Sequence, residues 1–175
     1  AINTVLGDAI YGYDRDCMES VTGALLQRAG RRLAVAESCT GGLISKKLTT
    51  IAGSSNYFLG GVVAYANELK TRFLDVPEDL LTVYGAVSRE TAEAMAGGIR
   101  NRTGADIGLS VTGIAGPGGG SAEKPVGTVY IGIATTEGTW ATHFLFKGDR
   151  QQIREMPAQT GLDLVRKYLL QTTGT

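Results

Sequence analysis

The alternation of apolar and polar positions predicts a chain in which strands and helices follow one another. Continuous apolar runs and period-2 alternation indicate strands, which we place at 33–36, 57–65, 107–111, 126–135 and 140–146. Apolar residues at helical spacing predict helices, which we place at 17–29, from Leu43 to about Ile51, at 68–74, 78–84 and 88–102, and from about Arg150 onward. Glu137-Gly138 is expected to join the last two strands as an antiparallel hairpin.

This order of elements predicts an α/β fold, a three-layer α/β/α sandwich with a mixed, mostly parallel sheet. Asp16 is expected to cap the first helix, and Ser88, with Glu90 in the first turn, the helix at 88–102. Pro157 should kink or split the last helix. Residues 1–15 are interpreted as an N-terminal arm before one domain at 16–175. Because the chain lacks an initiator methionine, we expect it to be processed or cut from a longer one.

Length, charge and cysteine content exclude several classes of function. The 175 residues suit one domain, and the balance of 17 basic against 17 acidic residues argues against nucleic acid as the partner. No apolar run reaches the ~18 residues that a membrane span needs, and no signal peptide is apparent. Cys17 and Cys39 form no disulfide framework, which is typical of a reducing cytoplasm. With only one histidine, His143, beside these two cysteines, the composition also argues against a structural zinc site.

The single histidine also limits the choice of general base. His143 lies in an alternating aromatic stretch, which predicts a strand-surface or packing position. A hydrolase built on this chain is therefore expected to use another base.

Two segments that leave predicted strands carry the candidate chemistry, since ligands of open α/β sheets bind beyond the carboxyl ends of strands. In Glu37–Gly42, Ser38 is a candidate nucleophile, and the following helix offers N–H groups to an oxyanion. The pattern is not G-x-S-x-G, and plain helix capping is the alternative. Cys39 is the competing nucleophile, although a buried, inert thiol is expected there.

The second segment, 112–127, is rich in glycine, of which the chain has 25. Such a loop can present several N–H groups to an anion, yet it matches neither Walker A nor G-x-G-x-x-G. Ser121-x-x-Lys124 has the spacing of penicillin-binding enzymes, but Pro125 excludes the helical turn which that motif needs. A plain surface loop is the alternative. Gly97-Gly98, inside a predicted helix, indicates close packing.

A lysine is the natural base for Ser38 once histidine is set aside, provided that burial lowers its pKa. Lys70 follows a strand and lies early in a helix, where it can face the same sheet edge; a solvated surface lysine is the alternative. Arg150, which opens the last helix, can bind phosphate or carboxylate or pair with an acidic neighbour.

Seven motifs together resemble the CinA C-terminal domain family, the nicotinamide-nucleotide amidohydrolases, in family order over residues 17–170. They are Ala36-Glu37-Ser38-Cys39-Thr40-Gly41-Gly42, Ala52-Gly53-Ser54-Ser55, Tyr65-x-Asn67-x-x-Lys70, Gly85-Ala86-Val87-Ser88, Thr112-Gly113-Ile114-Ala115-Gly116-Pro117, Lys124-Pro125-Val126-Gly127-Thr128-Val129 and Gly148-Asp149-Arg150.

The resemblance implies a bacterial, cytoplasmic enzyme of NAD recycling. Its substrate would be a pyridine mononucleotide, nicotinamide mononucleotide, hydrolysed to nicotinic acid mononucleotide and ammonia by a serine-lysine mechanism without metal or cofactor. Matched residues make Ser38 the nucleophile, Lys70 the base and Tyr65 its accessory partner. Thr112 and Arg150 fall on family site positions. The residues expected to bind the substrate or the oxyanion are therefore Cys39, Thr40, Gly41 and Gly42, through their N–H groups, together with Thr112, Gly113 and Arg150.

Several points stay open at this stage. A homo-oligomer is expected from the family. Many relatives carry a large N-terminal domain that is absent here, and residues 2–14 are similar to the segment that precedes the domain in those relatives. The chain is therefore expected to be a fragment or a stand-alone homologue. The alternative functions are a non-catalytic nucleotide-binding or regulatory module and a serine-lysine amidase of another substrate.

Overall fold

A computed structural model describes residues 16–173; the predicted arm at 1–15 lies outside the described residues. The strands are β1 (Leu33–Glu37), β2 (Phe58–Val63), β3 (Ile107–Gly113), β4 (Thr128–Ala134) and β5 (Thr139–Leu145). The helices are α1 (Met18–Arg28), α2 (Leu43–Thr49), α3 (Asn67–Leu74), α4 (Glu78–Tyr84), α5 (Arg89–Thr103) and α6 (Arg150–Thr173), with a 3₁₀ turn at Ser54–Asn56.

The strands form one mixed sheet in the order β2-β1-β3-β4-β5. β1 pairs in parallel with β2 and β3, whereas β3–β4 and β4–β5 are antiparallel. The expectation of a mostly parallel sheet is thus corrected, because the predicted hairpin adds β4 beside β3 as well as beside β5. Since β1, β2 and β3 run in the same direction, their carboxyl ends meet at one edge of the sheet.

Helices cover both faces of the sheet, which confirms the three-layer architecture. Helices α1, α2 and α6 pack on one face over a core that includes Leu33, Leu109 and Ile131. Helices α3, α4 and α5 pack on the other face around Leu74, Met95 and Ile99. β1 is central and buried at each of its five positions, which are the four of the predicted apolar run and Glu37.

Three local predictions, two helix caps and a break at Pro157, can be compared with the structure. The Ser88 cap is confirmed, since its hydroxyl accepts from the Thr91 amide at 3.1 Å. The Asp16 cap is wrong: the N-cap residue is Cys17, whose amide donates to the Ser20 hydroxyl at 3.0 Å. Helix α6 runs through Pro157 without being split, and that proline is buried.

His143 and the long helix α6 bear on two expectations, the place of the histidine and the lack of a membrane span. His143 is exposed on β5, where its ring lies 4.9 Å from that of Tyr130, which confirms the predicted position on the surface of a strand. Although α6 has 24 residues, neither it nor any other helix within residues 16–173 is long and apolar enough to span a membrane.

Candidate active site

A cavity of about 280 Å³ opens at the carboxyl edge of the parallel strands. It brings together the segments that follow β1, β2 and β3. Its lining includes seven of the ten candidate site residues, namely Ser38, Cys39, Tyr65, Lys70, Thr112, Gly113 and Arg150. Thr40, Gly41 and Gly42 do not line it.

Ser38 is placed by the ends of two strands. Its amide donates to the Val111 carbonyl of β3 at 2.9 Å, and it is 8% exposed, at the wall of the cavity. On the other side, the Ala64 amide donates to the Glu37 carbonyl at 2.9 Å, which brings the segment after β2 beside Ser38. The Ser38 hydroxyl forms no hydrogen bond within residues 16–173 and is available to a ligand.

Buried Glu37 organises the turn after Ser38. One carboxylate oxygen accepts from the amides of Gly42 at 2.9 Å and Ile44 at 3.1 Å. The other oxygen accepts from the Ser45 amide at 2.9 Å and from its hydroxyl at 2.8 Å. Glu37 therefore satisfies the N-terminal amides of α2, a position that favours negative charge.

These hydrogen bonds reduce the number of backbone amides that are available for the expected oxyanion site. The Gly42 amide is engaged by Glu37, and the Gly41 amide donates to the Ser38 carbonyl at 3.1 Å. Both glycines have positive φ, +60° and +94°, which a residue with a Cβ adopts only with strain. Within the described chain, the amides of Cys39 and Thr40 donate to no oxygen atom and face the Cys39 sulfur.

Cys39 is a poor nucleophile in this position. Burial raises the pKa of its thiol to about 12, even though the amides of Cys39 and Thr40 oppose that shift. Its sulfur packs against Gly113, where an added Cβ would lie 3.1 Å away. Because the reactive species is the thiolate, the competition that the sequence left open favours Ser38.

Lys70 is buried at the floor of the site, with 1% of its surface exposed. Its amine donates to the carbonyls of Ala64 at 2.9 Å and Tyr65 at 3.1 Å. No acidic side chain pairs with it among residues 16–173, and burial lowers its pKa, with a weaker opposing effect from Cys39. A neutral amine has two N–H donors and one lone pair, so two carbonyl acceptors satisfy it and leave the lone pair free.

Thr112, Tyr65 and Arg150 shape the walls. The Thr112 hydroxyl donates to the Ala86 carbonyl at 2.6 Å and holds the wall formed by the segment before α5. Arg150 donates to the Gly116 carbonyl and, at 3.3 Å, to the Tyr65 hydroxyl. Tyr65, 61% exposed at the mouth, thus meets Lys70 through its backbone carbonyl and Arg150 through its hydroxyl.

Three residues of the site were missed by the sequence analysis. Glu37 left a signal, a carboxylate that ends an otherwise apolar strand. Lys124 was rejected as a catalytic residue; its amine donates to the carbonyls of Tyr84 at 2.9 Å and Val87 at 2.7 Å, and so fastens the glycine-rich loop to the opposite wall. Arg154 of α6 donates to the carbonyls that follow Ser38, and no local pattern predicts such a distant contact.

No cluster of three or more histidine, cysteine, aspartate or glutamate side chains within the described ranges is arranged to hold a metal ion.

The chain is similar to known proteins over nearly its whole length. The model of the CinA C-terminal domain matches residues 15–169. A CinA-like protein of Desulfotalea psychrophila is 64% identical over 171 residues, 98% of this chain and 41% of that protein. A CinA-like protein of Acidobacterium capsulatum is 51% identical over 169 residues, 97% of this chain and 41% of that protein. The chain thus spans about two fifths of the length of these relatives.

Solved structures share the fold. Competence/damage inducible protein CihA of Agrobacterium tumefaciens superposes with a TM-score of 0.82 at 39% identity, over 90% of this chain and 98% of that one. A CinA superfamily protein of Klebsiella pneumoniae gives a TM-score of 0.84 at 30% identity, over 89% and 99%.

Proposed function

The chain belongs to the CinA C-terminal domain family, and we propose that it hydrolyses the carboxamide of nicotinamide mononucleotide to nicotinic acid mononucleotide and ammonia. The observation that carries this proposal is Lys70, a residue 1% exposed and without a carboxylate partner in the described chain, in the same cavity as Ser38. A surface lysine would be charged and solvated, whereas a buried amine with a lowered pKa is suited to act as a base.

The reaction proceeds in two halves. Neutral Lys70 accepts the Ser38 proton as the serine oxygen attacks the amide carbon, and the amides of Cys39 and Thr40 stabilise the oxyanion. Lys70 then returns the proton to the departing nitrogen, which leaves as ammonia. In the second half, Lys70 takes a proton from water, hydroxide attacks the Ser38 ester, and the acid is released as the proton returns to Ser38.

The mouth of the cavity suits an anionic group on the substrate. Arg150 is held there by Gly116 and Tyr65. Gly118 and Gly119 line the same cavity, and their amides donate no hydrogen bond to described residues. A guanidinium and free backbone amides are the groups that bind phosphate. The 5′-phosphate of a mononucleotide is therefore assigned to this end and the carboxamide to the Ser38 end.

The experiment measures ammonia released from nicotinamide mononucleotide by the purified protein, with and without a chelator. Ser38→Ala and Lys70→Met are each expected to lower turnover at least about 10³-fold. Ser55→Ala, at an exposed serine outside the cavity, and Lys167→Met, at a lysine exposed on α6, are the matched controls and should keep wild-type turnover.

Each outcome has a distinct meaning. Release that survives chelation but is lost in Ser38→Ala supports a serine amidohydrolase. Near-normal turnover in Ser38→Ala or Lys70→Met refutes the assigned roles. Equal turnover of the nucleotide and of its nucleoside without the 5′-phosphate would indicate an amidase of another substrate. Saturable nucleotide binding without ammonia release would indicate a binding module.

A further inference from the structure

Arg154, on the second turn of α6, reaches across to the turn that follows Ser38. Its guanidinium donates to the carbonyls of Cys39 at 3.3 Å and Thr40 at 3.1 Å. A Cβ added at Gly41 would lie 3.0 Å from one of its nitrogens, so the guanidinium fills the space beside that glycine. Arg154 is half-buried and does not line the cavity. It therefore contacts the turn from outside the cavity.

A contact to the Cys39 carbonyl also orients the Thr40 amide, because the two groups belong to one planar peptide. In a trans peptide, the carbonyl of one residue and the amide hydrogen of the next lie in one plane and point in opposite directions. A donor that fastens the Cys39 carbonyl towards α6 thus aims the Thr40 amide away from α6. A charged donor on the carbonyl also polarises the peptide and makes its N–H a stronger donor.

No residue of the described chain other than Arg154 donates a hydrogen bond to the Cys39 carbonyl. The Cys39 carbonyl accepts no hydrogen bond there other than that of Arg154, and the Thr40 carbonyl has only a long additional bond from the Leu43 amide, at 3.4 Å. Glu37 fixes the turn from Gly42 onward. On its carbonyl side the peptide between Cys39 and Thr40 is therefore held by Arg154, whereas its amide faces only the Cys39 sulfur, a weak acceptor.

We propose that Arg154 is a positioning residue which holds the Thr40 amide as an oxyanion donor for acyl transfer at Ser38. The proposal rests on the proposed amide hydrolysis. It assigns to Arg154 an effect on the transition state and little effect on substrate binding, because the guanidinium acts through a peptide group whose donor is needed only when negative charge develops.

The kinetic test compares Arg154→Ala and Arg154→Lys with Glu155→Ala, a neighbouring residue of α6 that loses only a surface ion pair with Lys47. Arg154→Ala should lower kcat by about 10- to 10²-fold, less than the loss of a complete oxyanion donor, and change KM by less than about 2-fold. Arg154→Lys should keep part of the activity. Guanidinium at non-denaturing concentrations should restore part of the kcat of Arg154→Ala and leave Glu155→Ala, itself near wild type, unchanged.

An NMR measurement separates this inference from the proposed function. The ¹⁵N–¹H signal of Thr40 should shift or broaden in both Arg154 variants and stay in place in Glu155→Ala, whether or not any substrate is turned over. If the wild-type protein releases no ammonia, the proposed function fails, and the Thr40 signal still tests the positioning. Wild-type kcat in Arg154→Ala, an unchanged Thr40 signal, or a loss of activity in proportion to lost folded protein without guanidinium rescue would overturn the inference.

Discussion

Replacing Glu37 by glutamine keeps the shape of the side chain and removes its charge at the start of α2. In the wild-type protein, two hydrogen-bond donors face each carboxylate oxygen. Glutamine retains one oxygen and exchanges the other for an NH₂ group, which is itself a donor. At least one of the four donors must therefore lose its acceptor.

The least costly orientation of the glutamine amide sets the expected loss of stability. If the glutamine oxygen faces Gly42 and Ile44, its NH₂ group faces Ser45, whose hydroxyl can rotate and accept. The Ser45 amide cannot, and an unsatisfied N–H away from water costs about 1–3 kcal/mol. Loss of the negative charge at the helix N-terminus adds about 0.3–1 kcal/mol. Together these effects predict a loss of about 1–4 kcal/mol in the free energy of unfolding.

The assay is urea unfolding at pH 7, followed by circular dichroism, with comparison at constant m-value. Glu68→Gln is the matched control, because Glu68 lies exposed in the first turn of α3 and should lose only the helix-terminal contribution, under about 1 kcal/mol. Equal losses in the two variants would refute the assignment of Glu37 as the residue that satisfies the turn.

Three further predictions concern residues of the core and the cavity. Burial lowers the pKa of Lys70 from its ordinary 10.5. The folded state thus binds fewer protons than the unfolded state between the lowered value and 10.5, and stability relative to Lys70→Met should rise with pH in that window by up to about 1.4 kcal/mol per pH unit; parallel pH profiles in urea unfolding would contradict this. At Gly98 an added Cβ would overlap the Leu74 carbonyl oxygen, whereas at Gly97 it meets open space. Gly98→Ala should therefore lose more than about 2 kcal/mol and Gly97→Ala gain about 0.5–1 kcal/mol in thermal unfolding, and similar values for both would be inconsistent with the close packing. Because the pKa of Cys39 is raised to about 12, its native thiol should resist iodoacetamide at pH 8 and react only on unfolding; rapid labelling of the folded protein, seen by mass spectrometry, would disprove the burial.

Features that depend on neighbouring residues could be predicted from the sequence. The continuous apolar runs predicted β1 and the core of β3, because a strand buried on both faces needs apolar residues at every position. The Ser88 cap and the β4–β5 hairpin were also predicted correctly, because each depends only on residues that are close together in the chain. Ser38 and Lys70 could be nominated as partners because Ser38 directly follows β1 and Lys70 lies early in the helix after β2, and both strands were expected to end at the same edge.

Local patterns were less reliable where several residues compete for one role. Asp16 and Cys17 both precede α1, and the fold uses Cys17 as the cap. A proline inside a helical pattern predicts a break only on average, and Pro157 is instead buried within a continuous α6. For Pro157, packing of the helix outweighs the local preference.

By itself, the sequence determined the class of fold and the sheet edge at which the segments of Ser38 and Lys70 gather, because strand periodicity and strand ends are encoded locally. Only the tertiary structure decided which amides after Ser38 remain free, whether Lys70 is buried or solvated, and that Arg154, 115 residues beyond Cys39, holds the turn. Those properties depend on desolvation and on contacts between distant segments, which exist only once the two layers of helices have closed on the sheet.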